Sequence, residues 1–150
     1  MKPLFSFVYL LFLYLPARPQ TAATHWNLEK GMALQGYDAV AYHSQQKAVK
    51  GTARFAVTHL GAVWLFASAE NKEIFRKNPE KFEPAYGGWC AFAMGDSGKK
   101  VEVDPDTFKL IDGKLYLFYN KYFTNTLLSW NKKESVLKAK GDANWEKIIR

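Results

Sequence analysis

The sequence predicts a small α+β domain in which short antiparallel β-hairpins pack against helices. Three observations lead there. The chain has 150 residues, room for one domain and not two. Two pairs of β-rich stretches are separated by glycine-bearing turns, and apolar-periodic segments with helix-capping residues follow each pair. The aromatic content is high, with 11 Phe, 8 Tyr and 5 Trp, so a core is built from few, large side chains. A hydrophobic share of 48% with 23% charged residues excludes a disordered chain. The single cysteine excludes an intrachain disulfide framework and an all-cysteine zinc site.

In chain order, Lys2 precedes an apolar run of twelve, residues 4–15, which Pro16 ends. A spanning helix needs about 20 such residues, whereas a signal-peptide core has roughly 7–15. Residues 1–23 are therefore expected to be a signal peptide cut after Ala23, with an uncleaved N-terminal anchor as the alternative. The mature chain, 24–150, is expected to be periplasmic or secreted, with no stable membrane span. Residues 24–36 read as irregular. The run Ala39-Val40-Ala41-Tyr42 reads as a short strand. Residues 54–57 and 63–66 read as a hairpin with a longer loop around His59-Leu60-Gly61. Ser68 reads as the N-cap of a helix over 69–78, with Ala69, Ile74 and Phe75 as its apolar stripe.

Residues 86–93 form an apolar, glycine-bearing run, and Asp104 and Asp106 around Pro105 mark a turn. The strongest hairpin signal is 108–111 and 115–119 around Asp112-Gly113, a dipeptide suited to a two-residue turn. Asn120 reads as the cap of a helix reaching Trp130. Residues 132–140 and 144–149 read as two further amphipathic helices, with Val136, Leu137, Trp145, Ile148 and Ile149 inward.

The formal net charge is +7, from 21 Lys and Arg against 14 Asp and Glu. The lysines are scattered among carboxylates, as in residues 72–81, so no clustered basic face points to nucleic acid. No phosphate-binding glycine loop and no nucleophile-elbow motif is present.

Soft or borderline metal donors are few. Cys90 follows Gly87-Gly88-Trp89 and offers a thiolate suited to copper; His43 ends the apolar 39–42 run; His59 sits at the first hairpin. These three are the candidate metal site, with a copper-class ion as the candidate cofactor. A bland reading stands beside each: a buried inert thiol, a hydrogen-bonded loop histidine and a solvated turn histidine. A second candidate is a ligand pocket involving Asp38, Tyr42, Tyr86 and Trp89, with Trp64 and Tyr116 as further aromatic walls. It would serve a small ligand or a protein partner. A thiol enzyme pairing Cys90 with His43 is the third and weakest reading, so the chain is expected to be non-enzymatic.

Tyr42-His43-Ser44 within residues 36–45, Trp64 to Asn71, Phe75 and Asn78-Pro79-Glu80-Lys81-Phe82 together resemble a YHS domain. With residues 86–91 (YGGWCA) and the 112–120 hairpin, the chain is similar to exported stand-alone YHS proteins. The resemblance implies a small YHS-like α+β fold. It also implies metal handling, copper above all, through cysteines. The metal-type domains carry those cysteines at positions that here are Ala41, Ala67 and Asn71. Two methyl groups and an amide offer no soft ligand. The resemblance therefore implies a retained scaffold and a lost cysteine site, leaving Cys90 and His43 as the remaining pair.

Overall fold

Leu28–Glu29 (β1) and Met32–Ala33 (β2) fold back on one another through Lys30-Gly31, and Met32 pairs in parallel with Val63. The computed structural model describes residues 25–150. The apolar run and the expected cleavage point lie outside the described residues. The stretch read as irregular thus supplies two adjacent strands of a four-stranded sheet, β1 at its edge. The sheet order is β1-β2-β4-β3, with β3 at Thr52–His59 and β4 at Ala62–Phe66. Along β4, Ala62, Trp64 and Phe66 are buried and alternate with half-buried Val63 and Leu65, the two-residue period that sends every second side chain into the core.

The run 39–42 is not a strand. It opens helix α1, Ala39–Ser44. The reason is Asp38, whose carboxylate accepts the Val40 and Ala41 N–H groups and satisfies the first donors of a helix. Four consecutive apolar residues carry no period, so the capping residue decides. Helix α2, Ala69–Lys77, starts where Ser68 predicts, its hydroxyl accepting the Asn71 N–H at 3.1 Å. Phe75 is its buried residue, while Ile74 lies on the outer face.

A tight turn at Ala85–Gly88 leads to helix α3, Ala91–Ser97. The hairpin of β5, Asp104–Ile111, and β6, Lys114–Phe118, closes through Asp112-Gly113 as expected. Asp104 keeps its turn chemistry inside β5: it accepts the Asp106 N–H and the Thr107 hydroxyl, each at 3.0 Å, where the β5–β6 register shifts. Asn120 does not cap a helix. It lies in a two-stranded ribbon, β7 at Asn120–Lys121 and β8 at Thr124–Asn125, and Asn125 caps α4, Thr126–Asn131.

The two expected C-terminal helices are one, α5, Glu134–Ile149. It continues through Gly141, where the Tyr86 ring leaves no room for a side chain: a Cβ there would stand 2.7 Å from the Tyr86 hydroxyl oxygen. Val136, expected inward, is exposed, whereas Leu137 is buried against α3.

Strand β6 separates two apolar clusters. Leu115 and Leu117 join Tyr42, Trp64, Phe66, Phe75 and Phe82 on one side. Tyr116 and Phe118 join Tyr86, Met94, Trp130 and Leu137 on the other. The strand is covered on both faces, and its uninterrupted apolar sequence follows from that.

Candidate functional site

Asp38 is fully buried and is a hub of the fold, not a pocket residue. One carboxylate oxygen accepts the Val40 and Ala41 N–H groups at 2.8 and 3.1 Å. The other accepts the Ala67 N–H and the Asn71 side-chain amide, both at 2.8 Å. Ala41, Ala67 and Asn71 are the three positions where the family resemblance puts cysteines. All three donate to the Asp38 carboxylate, Ala41 and Ala67 through backbone N–H groups and Asn71 through its side-chain amide. The carboxylate thus takes four hydrogen bonds that join α1, the end of β4 and α2.

Cys90 is fully buried. The Tyr119 N–H donates to its sulfur at 3.4 Å, and the sulfur lies 3.5 Å from the Thr126 hydroxyl. That hydroxyl donates to the Tyr119 carbonyl at 2.9 Å, so the thiol proton is the one that faces the Thr126 oxygen. The thiol thus ties α3 to the start of the β7–β8 ribbon. A thiol reagent is expected to leave Cys90 unmodified in the folded protein and to label it fully in urea, followed by intact mass. Equal rates in both states would place the thiol at the surface instead.

The histidines are held elsewhere. His59 lies 2.7 Å from Glu83 and packs edge-on against Phe75, so it is not a solvated turn residue. His43 sits edge-on to Phe82 at 5.2 Å, and its Nε2 is buried with no hydrogen-bond partner. Burial lowers its pKa, and the Lys81 and Lys114 charges act in the same direction. An unfolded histidine titrates near about 6.5. The unfolded chain therefore binds the proton more readily, and His43 subtracts stability as pH falls below that value. The melting temperature is expected to drop between pH 7.5 and pH 5 more steeply than in His43→Gln. Parallel profiles would remove His43 as a cause.

Cys90, His43 and His59 are thus engaged with different partners. Among the described residues no group of three or more His, Cys, Asp or Glu is placed to hold a metal ion. The three donors expected for a copper-class ion are thus not gathered into one such set among the described residues.

A cleft of about 360 Å³ lies elsewhere, walled by Trp26, Tyr86, Tyr116 and Trp145 and reached by Lys114, Asp142 and Glu83. Tyr86 is held there in a left-handed backbone conformation, φ 54°, that a bulky residue adopts only under constraint. Its hydroxyl donates to Asp142 at 2.9 Å, which pins α5 to the 85–88 turn. Both carboxylates in the lining are already engaged: Asp142 also receives Lys138 at 2.8 Å, and Glu83 holds His59. Lys114 is half-buried in the cleft wall; desolvation lowers its pKa, while Glu83 and Glu80 act in the opposite sense. His25 adds a buried Nδ1 with no partner.

Of the expected pocket residues, Tyr86 and Tyr116 line this cleft. Tyr42 is buried in the core, donating its hydroxyl to the Pro105 carbonyl at 2.8 Å. Trp64 is core, packed tilted against Phe75 at 4.9 Å between ring centres. Trp89 turns its indole N–H to the His25 carbonyl at 2.8 Å and its ring face to Lys100. The residues missed from sequence were Trp26, Lys114, Asp142 and Trp145. Lys114 stands directly after the Asp112-Gly113 turn, which was legible. Its meeting with α5 is a tertiary fact that no local pattern carries.

These placements define a small α+β domain with a buried carboxylate hub and a separate aromatic cleft. Residues 40–86 match the family model of the YHS domain. No curated protein and no solved structure matches the chain. The matched stretch begins in α1 and ends at Tyr86. The cleft therefore lies at its edge, with Glu83 to Tyr86 on one wall and β6 and α5 on the others.

Proposed function

We propose that this protein is an exported, non-catalytic binding domain whose cleft takes a small aromatic or apolar molecule bearing an acidic group. The observation that carries the reading is the cleft's composition. Four aromatic rings line it, its two carboxylates are committed to other side chains, and Lys114 supplies a positive charge in a half-desolvated wall. A concave, mostly apolar site with few placed polar groups is the usual form of a small-ligand site. An amine that burial disfavours as a cation is steadied by an incoming anion. The apolar run at residues 4–15 supports export to the periplasm or the cell exterior. The copper-class reading, which the YHS resemblance brings, finds no assembled donor set among the described residues.

The test uses 1-anilinonaphthalene-8-sulfonate, an aromatic anion whose emission rises in an apolar site. Saturable binding is expected, weakened at least tenfold in Trp145→Ala and in Lys114→Met, with far-ultraviolet circular dichroism unchanged. Binding that survives both substitutions, or none at all, overturns the reading. A copper ion bound at one per chain and lost in His43→Ala would replace it with the metal reading.

A further inference from the structure

Four two-residue turns among the described residues join adjacent strands with positive φ at both central positions. They are Lys30-Gly31 (50°, 80°), Leu60-Gly61 (49°, 76°), Asp112-Gly113 (50°, 75°) and Tyr122-Phe123 (50°, 65°). This is the signature of the hairpin turn whose backbone favours Asn-Gly or Asp-Gly, because only glycine takes a left-handed conformation without a steric penalty. Three of the four place glycine at the second position. The fourth places two large aromatic residues in the strained geometry and turns both into solvent: Tyr122 is 85% exposed and Phe123 completely so. The β7–β8 ribbon therefore departs from local turn chemistry and from hydrophobic burial at the same two residues. The other three turns show that the chain supplies glycine where folding alone decides. Violations of this kind mark functional positions.

The surroundings specify the partner. Leu128, on the helix that follows, is 62% exposed. Residues 120–133 contain Lys121, Lys132 and Lys133 and no carboxylate. Lys121 meets Glu102 at 3.6 Å, an exposed pair that solvent weakens; Lys132 and Lys133 are exposed. The feature is an exposed turn, not a groove, with two aromatic rings at its centre, Lys121 in the ribbon beside them and Lys132 and Lys133 at the end of the following helix α4. Aromatic side chains favour the boundary between lipid headgroups and acyl chains, and nearby lysines are drawn to anionic headgroups. Either signal alone holds a protein weakly, and two together give measurable attachment.

We infer that the β7–β8 tip is a membrane-surface contact, with Tyr122 and Phe123 entering the interface of an anionic lipid bilayer and Lys121, Lys132 and Lys133 lying over the headgroups. It is separate from the cleft and does not depend on what the cleft binds.

The buried core runs from Ala33 to Leu137, so a chain starting at Thr24 keeps all of it and removes the apolar run 4–15 from the result. Its cooperative melting is checked first. Partition is then measured by sedimentation with vesicles of phosphatidylcholine alone and of phosphatidylcholine with phosphatidylglycerol in equal parts. The wild type is expected to bind the anionic vesicles, at least tenfold more weakly in the neutral ones and in high salt. The double variant Tyr122→Asn, Phe123→Gly, which installs the favoured turn, is expected to melt at a higher temperature and to bind at least tenfold more weakly. Binding unchanged in that variant overturns the proposal. So does the absence of vesicle binding, which would make the exposed tip a contact for another protein.

Discussion

Replacing Asp38 by alanine is expected to destabilise the domain by about 4 kcal/mol or more and to lower its melting temperature by about 10 °C. The carboxylate is fully buried and accepts four N–H donors from α1, from the end of β4 and from α2. Alanine leaves all four donors without a partner, and each buried orphan costs about 1–3 kcal/mol. A domain of this size holds only about 5–15 kcal/mol in total, so the variant stands near the edge of folding. Asp38→Asn separates the charge from the shape. Its amide fits the space but turns two hydrogens towards groups that are themselves donors, so a smaller loss, about 2 kcal/mol, is expected. Urea denaturation of both variants measures the two losses. An alanine variant within 1 kcal/mol of the wild type would mean that water replaces the carboxylate, and that Asp38 does not hold these elements together.

The second large effect is expected at Gly95. A glycine inside a helix normally costs about 1 kcal/mol relative to alanine, so Gly95→Ala would stabilise α3 if propensity alone acted. The opposite sign is expected here. A Cβ at Gly95 would lie 2.4 Å from the Leu137 carbonyl oxygen and 2.9 Å from its carbon, both backbone atoms of α5. Backbone does not swing aside as a side chain does, so the two helices must separate. The expected loss is about 2–3 kcal/mol. Asp142, Trp145 and Ile149 ride on the same helix and form a wall of the cleft, so binding there is expected to weaken together with stability. A more stable Gly95→Ala would contradict the close helix contact, and unchanged binding would detach the cleft from it.

Both effects arise at residues whose importance is tertiary, and this marks how far the sequence was legible. The α+β class, the hairpins around Leu60-Gly61 and Asp112-Gly113 and the Ser68 cap were readable, because turn and capping residues act on their immediate neighbours. The run 39–42 was misread because four apolar residues fit a strand or a helix equally well, and the deciding contact is one carboxylate reaching forward. The break expected near Gly141 is absent: the glycine there makes room for the Tyr86 ring, a residue far away in sequence, and does not end the helix. At the site, Tyr86 and Tyr116 were found as aromatic walls, but Trp64 and Tyr42 were not separable from them by sequence. A core ring and a cleft ring have the same local pattern. Cys90 and His43 drew attention as chemically distinctive residues, and the structure holds one in a hydrogen-bonded core and the other against Phe82. Glu83 was missed as the partner of His59, a pairing that crosses from β3 to the turn before Pro84.

The central claim is that the cleft between the end of the YHS stretch and α5 is where this protein binds. It is tested most directly by amide chemical-shift mapping of the isotope-labelled protein titrated with 1-anilinonaphthalene-8-sulfonate, and separately with copper ions. The account predicts that the aromatic anion shifts a contiguous set of amides at residues 25–26, 83–87, 114–116 and 142–149, together with the indole N–H signals of Trp26 and Trp145. It predicts that copper produces no saturable change around Cys90 and His43. Shifts scattered over the surface, or a saturable copper site centred on those two residues with the cleft silent, would contradict it.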